Sequence, residues 1–152
     1  MAYLGKCAIH ASSPRIWRRL INFGLHPNPC GTTMIARNAK NRICTVVKNG
    51  SFFNATEDEI SDGIHDCKDN DGLFFALAAL RDDSDINQWF IYDNRSWNDD
   101  NPTRCWFICK QESIEVDMAY DQMYGDCEKA TEQELILHFN GDDDDEIVIN
   151  QQ

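Results

Sequence analysis

The chain has 152 residues, 42% hydrophobic and 26% charged, with a formal net charge of −12. Its length suits one domain whose core stands without disulfide or metal staples, and its composition excludes wholesale disorder. No apolar run approaches the ~18 residues of a membrane span, and the start MAYLGKCAIHASS has no apolar signal-type region, so a soluble cytoplasmic protein is expected.

Charge is unevenly distributed. Residues 1–50 carry eight Lys/Arg and no acid, whereas residues 51–152 carry six Lys/Arg and all 26 acids. Such a break points to a segregated binding surface or to halves that hold each other electrostatically. It also permits head-to-tail self-association of acidic on basic faces. Seven cysteines without tight pairs are expected to be reduced thiols, and the sequons at Asn49, Asn54 and Asn94 to be chance matches in a protein that is not secreted.

Residues 5–10 read as a short strand. Ser13 is a helix N-cap and Pro14 suits the first helical position, predicting a helix to about Phe23 with Gly24 as its stop. Ile16, Trp17, Leu20, Ile21 and Phe23 form its apolar stripe, leaving Arg15, Arg18 and Arg19 as one local basic surface. His26-Pro27-Asn28-Pro29 is expected to be a loop. Strands are predicted over Thr33–Asn38 and Ile43–Lys48, and Asn49-Gly50 is a type I′ hairpin signal with Ser51–Asn54 returning. With Ile64–Cys67 as a further strand, the first 67 residues read β-α-β-β-β.

A second half then opens with a helix capped by Asp69 or Asn70, its apolar face made by Leu73, Phe74, Ala76, Leu77 and Leu80. Gln88–Tyr92 and Cys105–Lys110 are aromatic-rich strands, with Asp93-Asn94 and Asn98–Pro102 as turn or loop. Residues 111–128 are polar and carry no assignable period. Thr131-x-x-Glu134 is a capping box before a short helix through Phe139, closed by Asn140-Gly141. Five consecutive acids, Asp142–Glu146, predict a solvated, mobile end. The expected fold class is therefore α+β, with short antiparallel strands, about three helices and two β-α-β-like halves sharing one core, as a single domain over residues 1–140 and an acidic tail over 141–152.

No catalytic or metal motif is complete. On a strand, His65 and Cys67 would share a side while Asp66 points away, but no orienting third group is evident, so a structural pair is expected. Cys7-x-x-His10 and Cys105-x-x-x-Cys109 each lack the second close ligand pair of structural zinc. Asp66–Gly72 matches a calcium loop only at Asp69, Asp71 and Gly72, with Ala78 where the bidentate Glu belongs, so helix capping explains it better. The expectation is no enzyme activity, no cofactor and no metal. Arg15, Arg18, Arg19, Arg37, Lys40 and Arg42 form a basic set near Trp17, either a solvated face complementing the acidic half or an anion site. The net charge opposes direct duplex DNA binding. Among Trp89, Phe90, Tyr92, Trp97, Trp106 and Phe107, strand alternation leaves one or two side chains outward, and Trp89 and Trp97 are the candidate anchors.

The segment LFFALAALRDDSDINQWFIYDNRSW (residues 73–97), followed by KATEQELILHFN (residues 129–140), resembles small uncharacterised proteins of tailed phages and prophages. In these, a similar Leu/Ala-rich helix precedes a D-x-x-QWF strand, and a KAT-x-(E/Q)-E-(L/I) helix ending in HF closes the chain. The resemblance covers about a quarter of the sequence and carries no catalytic residue. It implies an accessory protein acting in the cytoplasm of an infected bacterium, where the acidic half suits docking on a basic, nucleic-acid-binding surface of a host protein, such as a component of anti-phage immunity. The alternative is a sponge for a nucleotide immune signal, with the arginines holding phosphates and Trp17 or Trp89 stacking on a base.

Overall fold

A computed structural model describes residues 2–29, 42–94, 103–122, 127–142 and 146–147. The expected strand Thr33–Asn38 and the candidates Arg37, Lys40 and Trp97 lie outside the described residues. Three helices and two mainly antiparallel sheets make the fold α+β. The chain divides into two compact units, Met1–Asp82 and Asp83–Gln152.

The first unit holds β1 (Lys6–Ile9), α1 (Pro14–Asn22), β2 (His26–Pro27), β3 (Ile43–Lys48), β4 (Ser51–Thr56), β5 (His65–Asp66) and α2 (Asp71–Ala78). Its sheet runs β2-β4-β3-β1-β5, with β2 and β5 parallel to their neighbours and the central strands antiparallel. Ser13 caps α1 by accepting from the Ile16 N–H, and Asn49 (φ 53°) and Gly50 (φ 82°) take the left-handed conformations that a tight hairpin between β3 and β4 requires. The predicted loop at His26-Pro27 is instead an edge strand. The His26 N–H donates to the Gly50 carbonyl (3.0 Å) and the Asn28 N–H to that of Phe52 (2.7 Å), while Pro27, which has no N–H to donate, takes the intervening position.

The register divides this sheet into two faces. Cys7, Ile9, Thr45, Val47 and Phe52 share the face covered by the helices: Trp17 packs edge-on against Phe52 at 5.1 Å and donates from Nε1 to Thr45 Oγ1, and the Cys7 thiol donates to the Phe74 carbonyl at 3.6 Å. Ala8, Val46 and Ala55 lie on the other face, beneath Phe53, Ile60 and Ile64. The helix that sequence periodicity sets at the head of the second half belongs to this first unit, because Leu73 to Ala78 are all buried and the Leu4 N–H donates to the Leu80 carbonyl at 2.7 Å. Ile21 departs from its expected buried stripe and is half exposed, since only Ile16 and Leu20 of α1 are fully covered.

Gly5 marks the closest approach of β1 to α2. A Cβ there would stand 2.1 Å from the Leu77 carbonyl oxygen, inside van der Waals contact with backbone that cannot swing aside. Gly5→Ala is therefore expected to destabilise the first unit by about 1–3 kcal/mol, read as a lowered urea midpoint with an unchanged slope. An unshifted midpoint would show that β1 and α2 separate without cost.

The second unit holds β6 (Trp89–Asn94), β7 (Thr103–Ile108), β8 (Cys127–Lys129), α3 (Glu132–Phe139) and β9 (Glu146–Ile147), in sheet order β8-β6-β7-β9. Asp93 and Asn94, expected as a turn, instead continue β6, because they pair with Arg104 and Thr103 of β7. The capping box at Thr131 and Glu134 forms as predicted, each residue bonding the other's backbone N–H. α3 covers one face: His138 stacks on Trp106 at 4.0 Å with an 11° interplanar angle, Phe139 packs edge-on against Trp89, and Glu134 pairs with Arg104. The other face carries Phe90, Phe107 and Cys109 beneath Ile114, Ala119 and Cys127. Within the tail expected to be mobile, Glu146 and Ile147 pair in parallel with Cys105 and Trp106, since β7 offers an open edge there.

Candidate functional site

In the second unit, the segment that follows β7 is ordered by side chains acting as backbone acceptors. Asp117 is fully buried: its Oδ2 accepts from the Lys110 N–H (2.8 Å) and its Oδ1 from the Ala119 N–H (2.9 Å). Asp85 Oδ2 accepts from the Ile114 N–H at 2.7 Å, and Lys129 Nζ holds the other Asp85 oxygen at 3.0 Å. The Ser84 hydroxyl donates to Glu112 at 2.6 Å, and the Asp85 N–H donates to the Glu112 carbonyl at 2.9 Å. Ionised acceptors make such bonds stronger than neutral ones, so the loop is held at both ends and in its middle.

This frame fixes which side chains face inward. Ile114 and Ala119 pack on the sheet, while Val116 (64% exposed), Met118 (60%) and Tyr120 (38%) face outward. Three of the large exposed hydrophobics among the described residues thus fall within five positions, flanked by exposed Glu112, Glu115 and Asp121. Residues 83–152 carry 18 acids against four Lys/Arg, so the charge break of the sequence becomes chiefly a property of this unit. An apolar centre inside an acidic rim, on a backbone already immobilised, has the composition of a binding surface. Periodicity gives no sign of it, because the order comes from long-range carboxylate contacts.

The residues singled out in the sequence are dispersed. Arg18 lies beside Trp17 in a cleft of about 650 Å³ with Ser12, Ser13, Pro14, Ile21 and Asn54. Arg19 is laid over the Phe75 ring at 3.6 Å, where burial and then neighbouring Arg15 lower its pKa. The expected single basic face of Arg15, Arg18 and Arg19 is therefore divided between the cleft and the α2 side. Arg42 is exposed at the start of β3. Trp89 is partly buried against Phe139 and belongs to the second unit, whereas Trp17 belongs to the first.

The cysteines are buried or half-buried free thiols wherever they are described. Burial pushes Cys109 up to about 11, far from the thiolate that nucleophilic chemistry needs. Cys67 donates to the His65 carbonyl rather than meeting its ring, and Asn70 caps α2 through the Leu73 N–H in the stretch with partial calcium-loop spacing. Cys7 and His10 point to opposite faces of the first sheet, as a three-residue strand spacing dictates.

One group of side chains that sequence spacing missed lies on the face of the first unit's sheet opposite α1 and α2. Continuing the β1–β3 register one step past Ile9 and Thr45 sets His10 opposite Cys44, and Glu57 follows directly from β4. Donor atoms of His10, Cys44 and Glu57 lie within 4.8 Å of one another, the single such set of three or more His, Cys, Asp or Glu side chains among the described residues. His10 Nδ1 is 3.5 Å from Glu57 Oε1, and its Nε2 is 2.9 Å from Asp66 Oδ1. Burial, then Glu57 and Asp66, push the Cys44 thiol up to about 11. No helix among the described residues is long and apolar enough to cross a membrane. Compared with family models, curated proteins and solved structures, the chain matches none.

Proposed function

We propose that this protein is a non-enzymatic accessory protein of the phage type, acting in the cytoplasm of a bacterial host, which binds a host protein and occupies its basic, nucleic-acid-binding surface. The observation that carries this reading is the rigid display of Val116, Met118 and Tyr120 on an acidic unit. Apolar anchors supply affinity once desolvated, and the surrounding carboxylates speed encounter with a cationic partner and exclude its polyanionic ligand. A component of host anti-phage immunity has the required chemistry when it reads nucleic acid.

Replacing Val116 and Met118 together by Asp is expected to weaken the host complex by about a hundredfold or more, measured by calorimetry with the purified partner. Raising salt should weaken the wild-type complex as well, through slower association. An unchanged affinity in the double variant would remove the loop from the interface and overturn the reading.

The cleft beside α1 favours a second reading, a sponge for a nucleotide signal. Arg18 and Trp17 lie together there at a capped helix N-terminus, and Ser12 donates to Asn54 at 2.6 Å across its floor. Calorimetry of the full chain against cyclic and linear nucleotides would give heat that Arg18→Ala abolishes. An absence of heat across the panel would remove this reading.

A further inference from the structure

The set formed by His10, Cys44 and Glu57 has the donors and the spacing of a metal centre. In a tetrahedral zinc site, bond lengths near 2.0–2.1 Å to nitrogen and oxygen put those two ligand atoms about 3.4 Å apart. The observed separation of His10 Nδ1 and Glu57 Oε1 is 3.5 Å, and Cys44 Sγ lies within 4.8 Å of the set. His10 is also oriented as metal-bound histidines are: Asp66 engages Nε2 at 2.9 Å, and with the ring proton on Nε2 the Nδ1 lone pair faces Glu57.

We infer that His10 Nδ1, Cys44 Sγ and Glu57 bind a zinc-class divalent cation, with Asp66 as the carboxylate that positions His10 and one coordination position left to solvent. Imidazole, thiolate and carboxylate together suit zinc better than calcium or magnesium, which take oxygen alone. Coordination replaces the Cys44 thiol proton, which leaves to solvent as the sulfur–metal bond forms. The two carboxylates that oppose a bare thiolate at Cys44 then face a cation instead, reversing the electrostatics of the cluster. Access is from the solvent side, where the His10 and Glu57 side chains are 22% and 36% exposed. The site ties the end of β1 to β3 and to the turn after β4, and so staples the face of the sheet opposite α1 and α2.

The test is a cobalt titration of the full chain after removal of bound metal by a chelator, followed in the near ultraviolet for thiolate-to-cobalt charge transfer. One equivalent per chain should produce the band, and zinc should displace it. Cys44→Ser should abolish the band. Glu57→Gln and His10→Ala should each weaken binding at least about tenfold, and Asp66→Asn should keep the band while weakening binding about 10–100-fold. Because Cys44 is buried and its variant could misfold, Glu57→Gln, on the exposed side, carries the test by itself. Absence of a stoichiometric band in the wild type, a band that survives Cys44→Ser, or unchanged affinity in folded Glu57→Gln would each overturn the assignment.

Discussion

Trp106→Ala is expected to lower the stability of the second unit by about 3–5 kcal/mol. Trp106 is 1% exposed, sits in the central strand pair opposite Ile91, and carries His138 of α3 stacked flat upon it. An indole buries roughly 200 Å², worth about 5 kcal/mol at ~25 cal/mol/Å², and the other contact of α3 with an aromatic of the sheet described above, Phe139 on Trp89, is wider at 5.4 Å. Truncation leaves a cavity that the paired strands cannot close, because their hydrogen-bonded register holds them apart. Urea unfolding followed by far-ultraviolet circular dichroism measures the loss. Trp106→Phe should retain a ring beneath His138 and lose distinctly less. A loss under about 1 kcal/mol for the alanine variant would show that α3 docks by other contacts.

Asp117→Ala should cost about 3 kcal/mol or more, since it removes two charge-assisted hydrogen bonds, each worth about 1.5–3 kcal/mol, and leaves the Lys110 and Ala119 amides without this acceptor. On the proposed function, the consequence reaches binding. Without Asp117 the loop no longer holds Val116, Met118 and Tyr120 in one arrangement, so binding must restore that order at an entropic cost. The expected result is a lower urea midpoint together with partner affinity weakened about tenfold or more, although Asp117 is buried and touches no partner. Asp117→Asn, which retains one carbonyl acceptor, should fall between. Full affinity in a destabilised Asp117→Ala protein would mean that the loop's preorganisation does not contribute to binding.

Much of the fold is legible where local chemistry decides it. Ser13-Pro14, Asn49-Gly50 and Thr131-x-x-Glu134 each satisfy or bend the backbone through neighbours a few residues away, and each forms in the structure where the sequence sets it. The elements that escape are those made by distant partners. β2 exists because the Gly50 and Phe52 carbonyls receive the N–H groups of His26 and of Asn28 just after it, β5 because it lies parallel to β1, and β9 because it pairs along β7. α2 carries the expected cap and apolar content, but burial around much of its circumference gives periodicity little to indicate which half it packs on.

The same division applies to the candidate sites. Exposed apolar residues at 116, 118 and 120 follow in part from Asp85 binding the Ile114 amide 29 residues away, a relation no short window of sequence contains, and in part from Asp117 binding the nearby Lys110 and Ala119 amides, which periodicity does not register. His10, Cys44, Glu57 and Asp66 are spread over more than fifty positions and meet through strand register, whereas metal motifs in sequence are recognised by close ligand pairs. The arginines are visible in the sequence, but their helical positions alone do not reveal that Arg19 lies over the Phe75 ring while Arg18 lines the cleft beside Trp17.

The most direct test of the binding account is to isolate the tagged full chain gently from an expressing bacterium, identify any stoichiometric protein by native mass spectrometry, and measure that protein's affinity for the wild type and for the Val116→Asp, Met118→Asp double variant. The account predicts one partner with a basic nucleic-acid-binding surface, lost from the double variant and displaced by its own nucleic acid. A chain recovered without a stoichiometric partner, or a partner held equally well by the double variant, would contradict it.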